Sequence, residues 1–385
     1  MQIAIIRRKY NPFGGAEKFI TRVIESLKTG KIQTTIITES WQPETNSPQA
    51  DNSNVIEVQA PGFSRTQQFL SFQTSVNTLL KRHHFDLVQS HERLIGADIY
   101  RLGDGIHASW VKRQADTSPW YTRIWLKIDP YHRAVIRTEK AMAQDPELTY
   151  VANSQLVKRE LMDWYQVPET RIELIENGID TSEFKPASPQ EKEKQKFALG
   201  LNQHQPTVLF VGSGFARKGA FELAEAIQKL AQFQLIIVGH DKHLTKLKKY
   251  IQAAKLGHRV LITGPQKNIK PYLAASDIFC LPSLYDSFPN AILEALCSGL
   301  PVVTTEAVGS ADAIFENQAG AICKKQSASI QIALEYAWEN YPTFSKNALA
   351  LSKKYDIKIA TKRWLNLYNR LITAKKVTHV ENSTH

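Results

Sequence analysis

Short apolar runs recur along this chain. Each is bounded by turn residues and followed by a stretch whose apolar positions return with helical spacing. In the first half the runs are IAII (3–6), TTIIT (34–38), VIEV (55–58), FDLVQSH (85–91), ADIYRL (97–102) and LTYVANS (148–154). Helical patterning lies between them, from about Ala16 to Leu27 and over 67–82 and 154–165. Apolar strands alternating with helices predict a parallel sheet covered on both faces, because each crossover helix packs back on the sheet.

A polar stretch, NGIDTSEFKPASPQEKEKQK (177–196), interrupts the pattern. Its prolines and dense charge predict an interdomain linker. The rhythm then restarts with TVLFVG (207–212), FQLIIVG (233–239), RVLITG (259–264), IFCLPS (278–283), PVVTT (301–305) and GAICKK (320–325). After about residue 327 the pattern is helical. The segment 356–376 is amphipathic, with Ile359, Trp364, Leu367, Tyr368 and Leu371 roughly on one side, and the tail VTHVENSTH is expected to fray. The expected architecture is two doubly wound α/β domains facing a cleft, over 1–180 and 181–355. Ligands of such sheets bind outside the carboxyl ends of the strands.

Composition sharpens this picture. The chain has 385 residues, too many for one ordinary core, and is 43% hydrophobic, enough for two. The formal charge of +11 and pI near 9.3 imply anionic company: nucleic acid, phosphorylated small molecules or an anionic membrane face. Cys280, Cys297 and Cys323 lie in apolar stretches and form no C-x-x-C pair, so buried thiols in a reducing compartment are expected. The N-terminal apolar run is too short for a secretory signal, and no segment is apolar for long enough to span a bilayer. A cytoplasmic, peripherally bound protein is the expectation.

Three constellations carry chemistry. In VGSGFARKG, Gly212 and Gly214 allow close backbone approach, and Arg217 and Lys218 bring two cations to a strand's carboxyl end. A helix start normally favours carboxylates, so two cations there suggest that something strongly negative is held. Taken alone, the stretch reads equally well as a surface turn with solvated cations. A second glycine turn, NPFGGAEKF with Gly14 and Gly15, occupies the matching place in the first half. In LPSLYDSFPNAILEALCSGL, Asp286 precedes a helix opened near Pro289, and Glu294 lies more than a turn inside it. The backbone N–H groups of Ser287, Phe288, Asn290, Ala291 and Ile292 then point at whatever binds there. Glu294 sits in an apolar context where an unpaired charge is costly.

Taken together, FGGAE, ENGID (176–180), GSGFARKG and D-x7-E followed by ALCSGLPVV resemble the retaining nucleotide-sugar glycosyltransferases of the GT-B fold. YNPFGGAEKF, ADIYRLGDG and VGSGFARKG resemble the lipopolysaccharide core glucosyltransferases of the WaaG type. The resemblance implies two Rossmann-like domains, with the C-terminal helix crossing back to the first. It implies that Arg217 and Lys218 neutralise the donor diphosphate and that Glu294 grips the ribose. Gly14, Gly15, Gly212, Gly214 and the 287–291 segment, Pro289 included, would line the donor. Asp286 stands where the family usually has Glu and contacts the sugar. Asp104 would face the reacting sugar, with His107 nearby. No Asp-x-Asp metal motif is present, so catalysis without metal or cofactor is expected, with the leaving charge met by Arg217, Lys218 and helix N-termini.

The stretch 107–140 interleaves aromatics and cations, among them Trp110, Lys112, Arg113, Trp120, Arg123, Trp125 and Lys127. It suits an anionic membrane surface or single-stranded nucleic acid, and KRHH (81–84) adds charge to the same half. The plain alternative is a helix with an aromatic core face and a solvated cationic face. With a lipid-linked glycan as acceptor, the membrane is the better partner and nucleic acid is not expected. A nucleotide-sugar epimerase on the same scaffold leaves 107–140 without a role. A non-catalytic nucleic-acid-binding protein leaves D-x7-E beside a basic glycine loop without one.

Overall fold

The computed structural model describes residues 1–10, 32–41 and 53–383. Gly14, Gly15 and the helix expected over 16–27 lie outside the described residues. The chain divides into two compact units, Met1–Gly178 with Lys358–His385, and Ile179–Ile357.

The sheet of the first unit contains β1 (Gln2–Ile6), β3 (Gln33–Thr38), β5 (Ser53–Glu57), β6 (Leu87–Ser90), β7 (Ile99–Leu102), β8 (Thr149–Ala152) and β9 (Ile172–Leu174). A separate two-stranded pair joins β2 (Lys9–Tyr10) to β4 (Ser40–Trp41). The seven strands lie in the order β5-β3-β1-β6-β7-β8-β9, all parallel. The chain winds outward from β1 in one direction and then from β6 in the other. The switch point therefore lies between the carboxyl ends of β1 and β6, where an open sheet leaves a crevice.

Strand pleating divides the apolar runs between two layers. Ala4 and Ile6 face a cluster containing Phe72, Val76, Met142, Val157 and Leu161. Ile3 and Ile5 face another, shared with Leu87, Val151, Ala360, Trp364, Leu367 and Tyr368. The last four residues belong to the helix Ile357–Ser383, which thus packs on the first unit's sheet. Trp364 is fully buried, a contribution of roughly 3 kcal/mol. Ile359 departs from the expected stripe and is 40% exposed. It precedes Trp364 by five positions, about 140° around a helix of 3.6 residues per turn, and Ala360 occupies the inward position instead. The helix runs to Ser383.

The second unit repeats the plan with β10 (Thr207–Val211), β11 (Gln234–Val238), β12 (Val260–Gly264), β13 (Ile278–Leu281), β14 (Val302–Thr305) and β15 (Gly320–Cys323). Their order is β12-β11-β10-β13-β14-β15, again parallel, with the switch point between β10 and β13. Val208, Leu209, Phe210, Ile236, Ile237, Phe279 and Leu281 have no exposed surface, as continuous apolar runs in a doubly covered sheet require. Cys280, Cys297 and Cys323 are buried free thiols, and burial pushes the Cys323 thiol up to about 12.

The stretch 177–196 is not a linker over most of its length. The division between units falls after Gly178, and Ile179 and Phe184 belong to the second unit's core. From Pro189 the chain is a helix, Pro189–Ala198, capped by the Ser188 side chain accepting from Glu191 N. The charge that suggests a linker is used internally. Asp277 accepts from Lys192 Nζ at 2.5 Å, Lys196 Nζ at 2.8 Å and the Thr207 backbone N–H at 2.8 Å. Lys196 is 3% exposed and Asp277 5%. Asp277→Ala strands the buried Lys196 ammonium and is expected to destabilise the second unit by about 3 kcal/mol. Urea unfolding of the two proteins measures this, and a change below about 1 kcal/mol would remove the energetic role of the Lys196–Asp277 pair.

Candidate functional site

In the second unit, β10 and β13 deliver their following loops to the switch point. Behind β10 the chain turns through Gly212 and Gly214 into a single helical turn, Phe215–Lys218, and a new helix, Ala220–Lys229, begins beyond Gly219. Arg217 and Lys218 thus close one short helix rather than open a long one, and the dipole there favours them. Phe215 is fully buried and its N–H donates to Asp241 Oδ2 at 3.1 Å, which fixes the turn. Gly219 adopts φ +83°, and a Cβ there would lie 2.4 Å from the Pro282 carbonyl oxygen, so the two loops meet only through a glycine. A Cβ on Gly212 would lie 2.7 Å from Lys218 Cδ, so this glycine makes room for the lysine stem.

Both cations converge on the loop behind β13. Lys218 Nζ lies 3.0 Å and Arg217 Nη1 3.5 Å from Asp286 Oδ2. Arg217 Nη1 also donates to the Tyr285 carbonyl at 2.6 Å, and the Arg217 carbonyl accepts from Leu284 N at 2.8 Å. Asp286 is held through its backbone: its N–H donates to the Ala307 carbonyl at 3.1 Å, and its carbonyl accepts from Gly309 N at 2.9 Å. Burial pushes the Asp286 carboxyl upward, but Lys218 and Arg217 outweigh it and hold the group below the usual carboxylate range. Downstream, Ser287, Phe288 and Pro289 are buried, and Phe288 packs edge-on against Tyr355. That segment offers backbone rather than side chains. Asn290 and Ala291 open the helix Asn290–Cys297, and Glu294 on it is 7% exposed.

In the first unit, the loops behind β1, β6 and β7 bring together residues of which sequence reasoning named only one. Asp104 is 63% exposed, with Oδ2 3.6 Å from Arg7 Nη1. The same Arg7 nitrogen lies 3.3 Å from Glu92 Oε1, which also accepts from Arg8 N at 3.1 Å. Burial raises the Glu92 carboxyl above its ordinary value despite Arg7. His91 is buried, with Nε2 2.8 Å from the Gln89 amide nitrogen, and Gln89 accepts from the Tyr368 hydroxyl at 2.6 Å. Burial, then Arg101 and Arg7, keep His91 neutral. The available signal was position: Arg7 and His91 each directly follow a strand that borders the switch point.

His107 is structural. Its backbone N–H donates to Glu139 Oε1 at 2.8 Å, its Nε2 lies 3.0 Å from His132 Nδ1, and its ring stacks on Trp110. Burial above all, with Arg93, His132 and Arg65, pushes its pKa down to about 3. Of the aromatic and basic residues of 107–140, Trp110 joins this stack and Arg113 pairs with Glu160 at 3.1 Å. Lys112, Trp120, Arg123, Trp125 and Lys127 are exposed or partly so.

Two family descriptions match the chain in tandem: Glycosyltransferase Family 4 over residues 13–183, and Glycosyl transferases group 1 over residues 191–348. The lipopolysaccharide glucosyltransferase WaaG of Escherichia coli K12 is 25% identical over 340 residues, 86% of this chain and 87% of that protein. The crystal structure of a WaaG involved in lipopolysaccharide biosynthesis superposes with a TM-score of 0.80 at 22% identity, covering 95% of this chain and 99% of that one. The chain belongs to the GT-B glycosyltransferases. Anabaena HepE, solved in complex with UDP-glucose, shares the GT-B fold with a TM-score of 0.74 at 18% identity, covering 96% of this chain and all of that one.

In this glycosyltransferase the Asp286 pKa lies below its value in the unfolded chain. The ion cluster therefore stabilises the second unit above the ordinary carboxylate range, near pH 4, and the gain is lost as pH falls through the lowered value. Asp286→Asn is expected to cost on the order of 2 kcal/mol at neutral pH. The difference in melting temperature from the parent protein should shrink on acidification, and one that grows would remove the ion cluster as its cause.

Proposed function

We propose that this glycosyltransferase transfers a hexose from a UDP-linked donor to a lipid-linked surface glycan such as lipopolysaccharide core, retaining configuration and using no metal. The observation that carries the reading is the convergence of Arg217 and Lys218 beside Asp286 at the second unit's switch point. The WaaG likeness supports the acceptor class, and the UDP-glucose bound to HepE supports the donor class.

The second unit, residues 181–355 in this reading, binds the donor. Cleavage of the sugar–phosphate bond develops negative charge on the diphosphate and positive charge on the anomeric carbon. Arg217 and Lys218 meet the first, and Asp286 tolerates the second while contacting the sugar. Glu294 holds the ribose. The diphosphate lies along Gly212, Gly214 and the backbone of 287–291. The first unit, residues 1–180 with the C-terminal helix, takes the acceptor, with Asp104, Gly14 and Gly15 on the sugar side. Retention follows a front-face reaction in which the leaving phosphate oxygen accepts the proton of the acceptor hydroxyl.

An acceptor in a membrane requires the enzyme to work at its surface. No helix among the described residues is long and apolar enough to cross a membrane. The helix Trp120–Ile128 instead exposes Trp120, Tyr121, Ile124, Trp125 and Ile128, while Leu126 turns inward. Spacing of one, four, five and eight residues from Trp120 makes one helical face. An amphipathic face of this kind, with Arg123 and Lys127 beside it, suits the inner leaflet of the cytoplasmic membrane.

Arg217→Ala and Lys218→Ala should each lower kcat for transfer by on the order of a hundredfold, with a smaller loss of melting temperature than Asp286→Asn because the other cation still pairs with Asp286. Full activity in both would refute the diphosphate role. Transfer measured after exhaustive chelation should be unchanged, and a strict requirement for added divalent cation would show that the two side chains do not suffice.

A further inference from the structure

Between residues 242 and 270 the chain carries seven Lys, one Arg and no Asp or Glu. This is most of the surplus of a protein whose net charge is +11. The segment contains the helix Leu244–Ala253 and β12, the edge strand of the second unit's sheet. Arg259 serves the interior, where its Nη1 donates to the carbonyls of Ile227, Leu230 and Phe233 at 3.1, 2.8 and 2.9 Å. Lys246 Nζ lies 5.7 Å from the centroid of the Phe221 ring and Lys270 Nζ 5.5 Å from that of Phe184, so these two ammonium groups have aromatic partners.

The helix turns Leu247 and Ile251 inward and exposes Lys248 and Lys249, with Lys246 beside them, Lys242 before the helix and Lys255 after it. Lys242, Lys248, Lys249 and Lys255 have no carboxylate partner among the described residues. Lys248, Lys255 and His258 border an open groove of about 480 Å³ along β12, floored by Ile251, Val260 and Ile262. Lysines do guard exposed strand edges against mispairing. That role accounts for the two beside the groove and leaves Lys242 and Lys249 without one.

We propose that this lysine face of the second unit is an electrostatic docking surface for anionic phospholipid, separate from the aromatic helix of the first unit. The inference rests on the reading of the enzyme as one that serves a membrane-borne acceptor. Three observations select the partner. The cations spread over an arc rather than along a line, which suits a surface of many point charges. They are almost all Lys, a compact ammonium suited to phosphate headgroups, whereas planar and bidentate recognition uses Arg. No large apolar side chain between 240 and 270 is among the exposed ones, and the half-buried Tyr250 is tied by its hydroxyl to Gln228 at 3.0 Å, so there is no row of aromatics for stacking bases and no anchor to insert into acyl chains. Binding through such a face is steered by charge alone and is screened by salt.

The experiment is co-sedimentation of the full chain with vesicles of phosphatidylcholine, with and without about a third phosphatidylglycerol, from low to high salt. The parent should gain a phosphatidylglycerol-dependent component that salt abolishes. Lys248→Glu with Lys249→Glu and Lys255→Glu should lower that component by about a hundredfold or more, reckoning on the order of fivefold per lysine. Trp120→Ser with Trp125→Ser should retain it and lose instead the salt-resistant component. Thermal stabilisation by UDP reports the fold and the donor site of every variant. Transfer onto detergent-solubilised acceptor reads the enzymatic proposal separately, and the lysine variants should retain it. The docking proposal is overturned if the triple variant, still stabilised by UDP, sediments with anionic vesicles like the parent. A parent that binds single-stranded oligonucleotide through these lysines in preference to the vesicles would overturn it equally.

Discussion

One carboxylate shared by two cations ties together the two loops at the second unit's switch point. Arg217 and Lys218 are adjacent in sequence and their charges meet at the same oxygen of Asp286. Two like charges about 4 Å apart repel by about 4 kcal/mol at the effective dielectric of a protein surface, so neither stays there without a counter-ion. Asp286 is that counter-ion, and it is rigid because two backbone hydrogen bonds to Ala307 and Gly309 fix its main chain. The cluster keeps one net positive charge. In the proposed reading, an incoming diphosphate meets cations already oriented and exchanges partners rather than ordering side chains. A glutamate here would carry its carboxylate one methylene farther from the backbone. The aspartate reaches the cations that the neighbouring loop delivers.

The frame behind the cluster was largely legible. Parallel strands covered on both faces must be apolar without interruption, so TVLFVG, FQLIIVG and IFCLPS announce themselves. Glycines close to strand ends then mark where loops turn over the carboxyl edge. The position of Asp286 just before a helix and of Glu294 inside it follows from Pro289 and the apolar spacing beyond it, and the structure has both. The same reasoning misjudged local direction at Arg217 and Lys218. Gly219 splits what reads as one helix into two, and its left-handed backbone is invisible in composition.

What sequence could not give is pairing across distance. Lys196 and Asp277 are separated by 81 residues, and without the second the first belongs in a charged linker. Arg7, Glu92 and Asp104 come from three different loops and meet only because β1, β6 and β7 are neighbours in the sheet. Glu139 illustrates the same limit. It lies in the basic stretch 107–140, is 4% exposed and receives hydrogen bonds from Arg93, His107 and Tyr165. An amphipathic pattern shows which side of a helix is apolar. It does not show which polar side chain will be taken inside by a partner from another strand.

The basic composition, likewise, is not one property. Some cations are structural, such as Arg259 on three carbonyls and Lys196 under Asp277. Two are poised, half-buried against Asp286. Others are exposed, among them Lys242, Lys248, Lys249 and Lys255 on the lysine face of the second unit. These classes answer differently to salt. Screening at physiological ionic strength acts over about 8 Å, so it weakens the exposed face and scarcely touches pairs held at contact distance in low dielectric. A salt titration therefore dissects the surplus charge by function. A property that survives high salt belongs to the buried clusters and one that vanishes belongs to the surface, so the proposed catalysis and the proposed attachment to an anionic bilayer are separable by salt.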